Sequence, residues 1–163
     1  MPHLDAAYNL ARWLTRNEHD AEDIVQDAFL RAFKFFEGFR GGNSRSWLLS
    51  IVRNAAYTWL AKNRKHEVGT ISDEEIENIQ DGALNPEGFL LKNTDHQEVM
   101  NAIGELPVEF REAIILRELE DMSYKEIADV MDVPLGTVMS RLARARRQLQ
   151  EALHHRRQPR ISA

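Results

Sequence analysis

The chain has 163 residues, with 21 Lys and Arg, 26 Asp and Glu, and no cysteine. That length accommodates one ordinary domain or two small ones, and the lack of cysteine excludes a disulfide framework, a CxxC redox pair and a thiolate zinc site. No run approaches the roughly 18 apolar residues of a membrane span, and the polar stretch over residues 1–14 reads against a signal peptide, so a cytoplasmic protein without membrane insertion is expected.

The formal net charge of −5 would repel nucleic acid if it were spread evenly. It is not. Residues 1–65 hold 10 basic and 7 acidic side chains, residues 66–133 hold 4 and 18, and residues 134–163 hold 7 and 1. An acidic middle therefore separates two basic ends, a pattern that points to interaction with a polyanion at both ends.

In chain order, Leu4, Tyr8, Ala11 and Leu14 form an apolar stripe that predicts a first helix over about Leu4 to Thr15. A second helix is predicted to begin at Asp20, where Asp20, Glu22 and Asp23 suit the positive end of a helix. Its stripe is Val25, Phe29, Ala32 and Phe36, and Gly38, Gly41 and Gly42 end it. A third helix follows Asn43 or Ser44, turning Leu48, Ile51, Val52, Ala55 and Trp59 inward. Ten of the 13 aromatic residues lie in these first 65 residues, and a unit so small needs bulky side chains, so most of them are expected in the core. Residues 66–94 are acidic, contain Gly69, Gly82, Pro86 and Gly88, and read as a linker with a short helical piece near Phe89–Leu91.

Four shorter helices are predicted beyond it. Val99–Ile103 with Leu106 gives the first, and Pro107 opens the second, with Phe110, Ala113 and Ile114 on its apolar face. Ser123 and Glu126 have capping-box spacing for the third, lined by Ile127, Ala128 and Met131. After Asp132-Val133-Pro134 the last helix runs from about Leu135 to His154. No alternating β-rich run is present, so the fold class is all-α, with units over 1–65 and 95–163 joined by the linker.

The last two helices and their short turn have the arrangement of a helix-turn-helix. At about 100° per residue, Val138, Leu142, Ala145, Leu149 and Ala152 share one stripe, and Gly136, Ser140, Ala143, Arg144 and Arg147 lie opposite. A face that is small at its start and cationic further on suits a major groove; a solvated basic face is the alternative. On the third helix Arg53, Tyr57 and Arg64 share a stripe opposite the core, with Ser50 and Asn54 beside it and Asn43 and Trp47 at its mouth. Cations and aromatic planes together are what single-stranded nucleic acid requires, although Trp47 and Tyr57 can equally cap the core.

Together these segments resemble the extracytoplasmic-function (group IV) sigma factors of the sigma-seventy family over nearly the whole chain. The resemblance rests on Asp20–Arg31, Trp47–Asn54, Leu106-Pro107, Phe110–Arg117, Ser123–Ala128 and Gly136–Arg146, in that order. It implies a transcription initiation factor without catalysis, metal or cofactor of its own. Its partners would be core RNA polymerase, through the β′ clamp and the β flap, promoter DNA both duplex and melted, and an anti-sigma factor.

By that resemblance Asp23, Gln26, Asp27 and Arg31 grip the clamp. Asn43, Trp47, Arg53, Asn54, Tyr57 and Arg64, with the Phe39–Trp47 loop, hold the melted minus-ten element. Gly136, Thr137, Met139, Ser140, Ala143, Arg144 and Arg147 read the minus-thirty-five duplex, and the acidic linker lies along the RNA-exit path. Three positions depart from the family pattern: Met139 stands where Lys or Arg is usual, Asp132 where glycine is frequent, and Thr58 about where Asp is common.

An enzyme reading finds little support, because no phosphate-cradling loop or HxxxH pair occurs and His154 and His155 point apart on a regular helix. The rival readings are an autonomous helix-turn-helix repressor or activator that dimerises through its N-terminal unit, and a sigma mimic that titrates an anti-sigma factor. The mimic has no need of Arg144, Arg146 and Arg147 or of the Trp47, Arg53 and Tyr57 surface.

Overall fold

The computed structural model describes residues 3–35, 43–63 and 96–157, and every regular element among them is helical. In the N-terminal unit α1 (Leu4–Thr15), α2 (Glu18–Lys34) and α3 (Ser44–Lys62) pack on one another. The α1–α2 corner is tight. Arg16 takes a left-handed conformation (φ 58°), and the Thr15 hydroxyl donates back to the Ala11 carbonyl at 2.8 Å. Helix α2 begins two residues before the predicted Asp20, because the Asn17 side chain accepts the Asp20 N–H at 3.1 Å and makes Asn17 the N-cap. The glycines expected to end α2, and Phe36 of its stripe, lie outside the described residues, as do the linker and the helical piece near Phe89–Leu91.

Small and aliphatic side chains fill this unit. Leu10, Leu14, Leu49, Val52 and Ala56 are fully buried, with Ala21, Ala28 and Ala32 letting the helices approach closely. The expectation of an aromatic core is corrected here. Tyr8, Trp13, Phe29, Trp47, Tyr57 and Trp59 are only half-buried around the rim, and Phe33 and Phe35 face outward. Aromatics three or four positions from an alanine stripe have no room between helices packed at alanine distance, so they lie over the edges.

The C-terminal unit comprises α4 (His96–Gly104), α5 (Val108–Ile114) continuing into a π-helical turn (Ile115–Leu119), α6 (Tyr124–Met131) and α7 (Leu135–Arg157). Phe110, Ile114, Leu116, Ile127, Met131, Leu142 and Leu149 form its core. From within the π-helical turn, Arg117 donates to the Met122 carbonyl at 2.9 Å and stacks over Tyr124, fixing the approach to α6. The capping box is present as predicted: Glu126 N–H donates to the Ser123 hydroxyl, and Ser123 N–H donates to the Glu126 carboxylate. Asp132 ends α6 in the left-handed region (φ 55°), a conformation Asp tolerates better than most residues.

The two units share one core, with α1 against α5 and α3 against α6. A buried arginine stitches them together. Arg111 donates to the Leu14 carbonyl at the end of α1 (3.0 Å) and to the Gly104 and Leu106 carbonyls (3.2 and 3.1 Å), so one guanidinium satisfies the exposed ends of two helices.

Replacing Ser123 by Ala removes one half of the capping box. It is expected to cost about 1 kcal/mol and to lower the unfolding midpoint by roughly 2–4 °C. Calorimetry checks this, and an unchanged midpoint would show that Arg117 and Tyr124 alone hold the entry to α6.

Candidate nucleic-acid interface

Helix α7 carries the first of three candidate surfaces. Val138, Leu142, Ala145 and Leu149 point into the core, with Leu153 buried beyond them and Ala152 half-buried at the edge. The opposite side opens at Gly136, where nothing lies within 4 Å of an added Cβ, and continues through Met139, which is 44% exposed. Thr137, Ser140, Ala143 and Arg144 are half-buried on this side, and Arg147 is exposed and pairs with Glu151 at 3.3 Å. Arg146 faces elsewhere. It is 6% exposed and its Nη2 donates to Glu118 at 3.0 Å, clamping α7 to the π-helical end of α5. The stretch of outward small residues before Arg144 leaves room for base edges to approach the helix.

The second surface, on α3, is not turned to solvent as the helical wheel suggests; the C-terminal unit covers part of it. Arg53 Nε donates to Glu112 Oε2 at 2.7 Å, and the Tyr57 hydroxyl donates to Oε1 of the same carboxylate at 3.2 Å. The Arg53 guanidinium also stacks on the Tyr57 ring, 4.3 Å from its centroid. Glu112 is completely buried, and the Arg53 side chain is only 16% exposed. At the start of α3, Asn43 caps the helix by accepting from Arg45 N–H and Ser46 N–H, and donates its side-chain amide to Glu126 of α6. Arg45 joins the same contact, 3.5 Å from Glu126 and donating to the Glu120 carbonyl at 3.2 Å. Trp47 is half-buried and Asn54 exposed. Arg64 and residues 39–42 lie outside the described residues. The structure thus brings Asn43, Arg53 and Tyr57 together along one side of α3, but joins them to acids of the other unit.

The third surface is α2. Asp23, Gln26, Asp27 and Arg31 are all exposed, with Asp27 and Arg31 paired one turn apart at 3.1 Å. Beside them Leu30 and Phe33 are 66% and 73% exposed. Sequence reasoning missed these two: the stripe of Val25, Phe29 and Ala32 accounts for the inner face, and the signal was two large apolar residues left off it.

Glu112 was missed as well, being counted only among the 18 acids of residues 66–133. Burial raises its carboxyl pKa to about 7, against the opposing pull of Arg53, Tyr57 and Arg141. Burial, reinforced by Glu112, likewise pushes the Tyr57 phenol well up, so Tyr57 stays a donor. Burial is the strongest single influence and opposes the Arg53 charge, but Glu112 and Tyr57 together outweigh it and the Arg53 pKa rises. Glu126 shifts the other way: the Ser123 N–H holds its carboxyl low, with help from Arg45 and despite some desolvation. Among the described residues no group of three or more His, Asp or Glu is placed to hold a metal ion, and no helix is long and apolar enough to cross a membrane.

Comparison with known proteins agrees with this geometry. Residues 1–66 match the family model described as Sigma-70 region 2, and residues 96–149 match Sigma-70, region 4. The chain is similar to the ECF RNA polymerase sigma-E factor of Escherichia coli K12, 40% identical over 149 residues that span 87% of this chain and 76% of the relative. It is also similar to the ECF RNA polymerase sigma factor SigE of Mycolicibacterium smegmatis, 33% identical over 93% of this chain and 58% of the relative. Among solved structures, the sigma factor RpoE of Bartonella quintana, in complex with the anti-sigma factor NepR, superposes with a TM-score of 0.69 at 31% identity. That match covers 94% of this chain and 92% of the other.

The raised Glu112 pKa has a definite sign. A carboxyl that titrates near 4.5 when unfolded and near 7 in the native structure contributes stability that is complete below 4.5 and is lost as the pH rises through 7. The unfolding free energy is therefore expected to fall by up to roughly 3 kcal/mol across that window and to stay flatter in Glu112→Gln. Denaturant titrations at pH 5, 6, 7 and 8 check this; parallel profiles for the two proteins would refute it.

Proposed function

Because the chain belongs to the extracytoplasmic-function sigma factors of the sigma-seventy family, we propose that its three surfaces are the working parts of a transcription initiation factor. The factor binds core RNA polymerase and directs it to particular promoters. In this reading residues 1–65 form the polymerase- and minus-ten-binding unit, and residues 95–163 the minus-thirty-five-binding unit. Residues 66–94 connect them.

Asp23, Gln26, Asp27 and Arg31 meet the β′ clamp. Asn43, Trp47, Arg53, Asn54, Tyr57 and Arg64 hold the melted strand. The start of α7, from Gly136 and Thr137 through Met139, Ser140 and Ala143 to Arg144 and Arg147, reads the upstream duplex. The observation that carries this reading is the helix-turn-helix itself: a capped α6, a left-handed Asp132, and an α7 whose outward face begins with open space at Gly136. The chain acts by binding alone, in the cytoplasm, and without a metal or cofactor.

The mechanism follows from having two weak DNA contacts. Each unit presents few cations, so each element alone is bound loosely. On polymerase both units are held at a fixed spacing, and the second contact becomes effectively intramolecular. The solved relative is bound to an anti-sigma factor, and a partner of that kind fits this chain too. It would compete with polymerase for α2, where Leu30 and Phe33 offer apolar anchors beside the charged residues.

Run-off transcription with bacterial core polymerase and a promoter-fragment library tests the reading. Stable core binding, with start sites downstream of a shared two-part motif, is expected. Dimeric binding to palindromic duplex without core binding would favour an autonomous regulator, and neither activity would leave the mimic. Within the holoenzyme, Arg144→Ala is expected to weaken recognition of the upstream element by roughly 1–3 kcal/mol for the matched sequence; an equal loss on every sequence would mark a phosphate contact instead. Trp47→Ala is expected to spare duplex binding and to impair open-complex formation, measured by permanganate reactivity of the unpaired thymines. Unchanged reactivity would remove Trp47 from the melting surface.

A further inference from the structure

The opening of α7 carries no cation. Over Leu135–Ser140, Val138 is in the core, and Gly136, Thr137, Met139 and Ser140 form the outward side. The next residue, Arg141, turns inward: its Nε and Nη1 are buried, and its charge helps to keep the Glu112 carboxylate ionised. Arg144 is therefore the first cation on the outward side, more than two turns into the helix.

Met139 is the long side chain of that outward side. Gly136 precedes it by three residues and Ala143 follows it by four, so both are its neighbours on the helix surface. Nothing lies within 4 Å of a Cβ added at Gly136. Met139 is 44% exposed, and Leu135, one turn earlier, is 48% exposed. A flexible thioether chain thus stands out over short neighbours on the side assigned above to duplex DNA. It donates no hydrogen bond and accepts only weakly, so it gains little from the acceptors of guanine or the amino groups of adenine and cytosine. Thymine alone presents an apolar group in the major groove, its C5-methyl.

We propose that Met139 reads a thymine of the upstream element through that methyl group, and so makes this chain select a T·A pair where an arginine or lysine would select guanine. The proposal rests on the upstream-duplex reading of α7 and names the base that the opening of the helix prefers. Discrimination comes from what each base leaves in the contact. With thymine, methyl and thioether shield one another from water. With cytosine the methyl is missing, and the N4 amino group loses water without gaining a good partner. Labour is then divided along α7: its opening reads by apolar contact, and Arg144 and Arg147 supply the hydrogen bonds to guanine or phosphate.

Replacing thymine by uracil removes this methyl and leaves the hydrogen-bonding edge unchanged, so the test compares duplexes that differ by one carbon. Uracil is placed in turn at each thymine of the upstream motif, on both strands, as mapped by run-off transcription. Binding of the assembled holoenzyme is then measured by competition against a fluorescent promoter. At one position uracil is expected to weaken binding roughly fourfold, the worth of one buried carbon. Met139→Ala, and Met139→Gln, which keeps the length but not the apolar surface, are expected to bind thymine and uracil equally there. Met139→Leu is expected to keep the preference. All three replace an exposed side chain, and circular dichroism confirms that the variants are helical.

An upstream motif with no thymine sensitive to uracil would overturn the proposal. So would a uracil penalty that persists undiminished in Met139→Ala and Met139→Gln, because the methyl would then be read by another group. Arg144→Ala on the same duplexes separates this failure from failure of the α7 reading. If Arg144→Ala weakens binding while uracil has no effect, α7 stays the reading helix and only the methyl contact is lost. If neither Arg144→Ala nor any Met139 variant changes recognition of the upstream element, both readings fall together.

Discussion

A carboxylate with no access to water, held by one guanidinium and one phenol from another part of the chain, is the constraint around which the two halves of this protein are arranged. Removing Glu112 from water is costly, and close, well-directed partners offset only part of that cost. Arg53 and Tyr57 provide them from α3, and their own ring–cation stacking fixes the geometry. Once they are so placed, α3 lies along the C-terminal unit, Asn43 and Arg45 reach Glu126, and Arg111 reaches the end of α1. What the sequence presents as two units with a tether is, in the free chain, a single packed body over the described residues.

Such an arrangement suits a factor whose work is differential binding. Buried ion pairs contribute little net stability compared with apolar contacts of the same size, but breaking one side of a pair is expensive. An interface built on them is therefore specific, and it separates when another ligand takes over both sides. The exposed Leu30 and Phe33 lie away from this interface, on α2.

Much of this was legible from periodicity and local chemistry. The limits of α1, the capping box at Ser123, the left-handed turn at Asp132 and the inward stripe of α7 all follow from rules that operate within a few residues. The N-cap at Asn17 was legible in principle, but the acids at Asp20 drew attention two residues too far. What stayed hidden depends on contacts across the chain. The alanine faces of α2 decide that aromatics sit at the rim. A glutamate on α5 becomes buried because an arginine 59 positions earlier meets it. Arg146 belongs to the same cationic run as Arg144 and Arg147, yet turns inward because Glu118 at the π-helical end of α5 is placed to receive it. Helical wheels rank faces by composition, and composition does not reveal which polar face another unit covers.

The central claim is that Arg53 and Glu112 act on one another directly and hold the free chain closed. A double-mutant cycle on Arg53→Ala and Glu112→Gln, measured by denaturant unfolding of the free chain at pH 7.5, tests it most directly. The account predicts that the two substitutions together cost clearly less than the sum of their separate effects, with a coupling above about 1 kcal/mol. Strict additivity would mean that the two side chains do not hold one another, and would contradict the account.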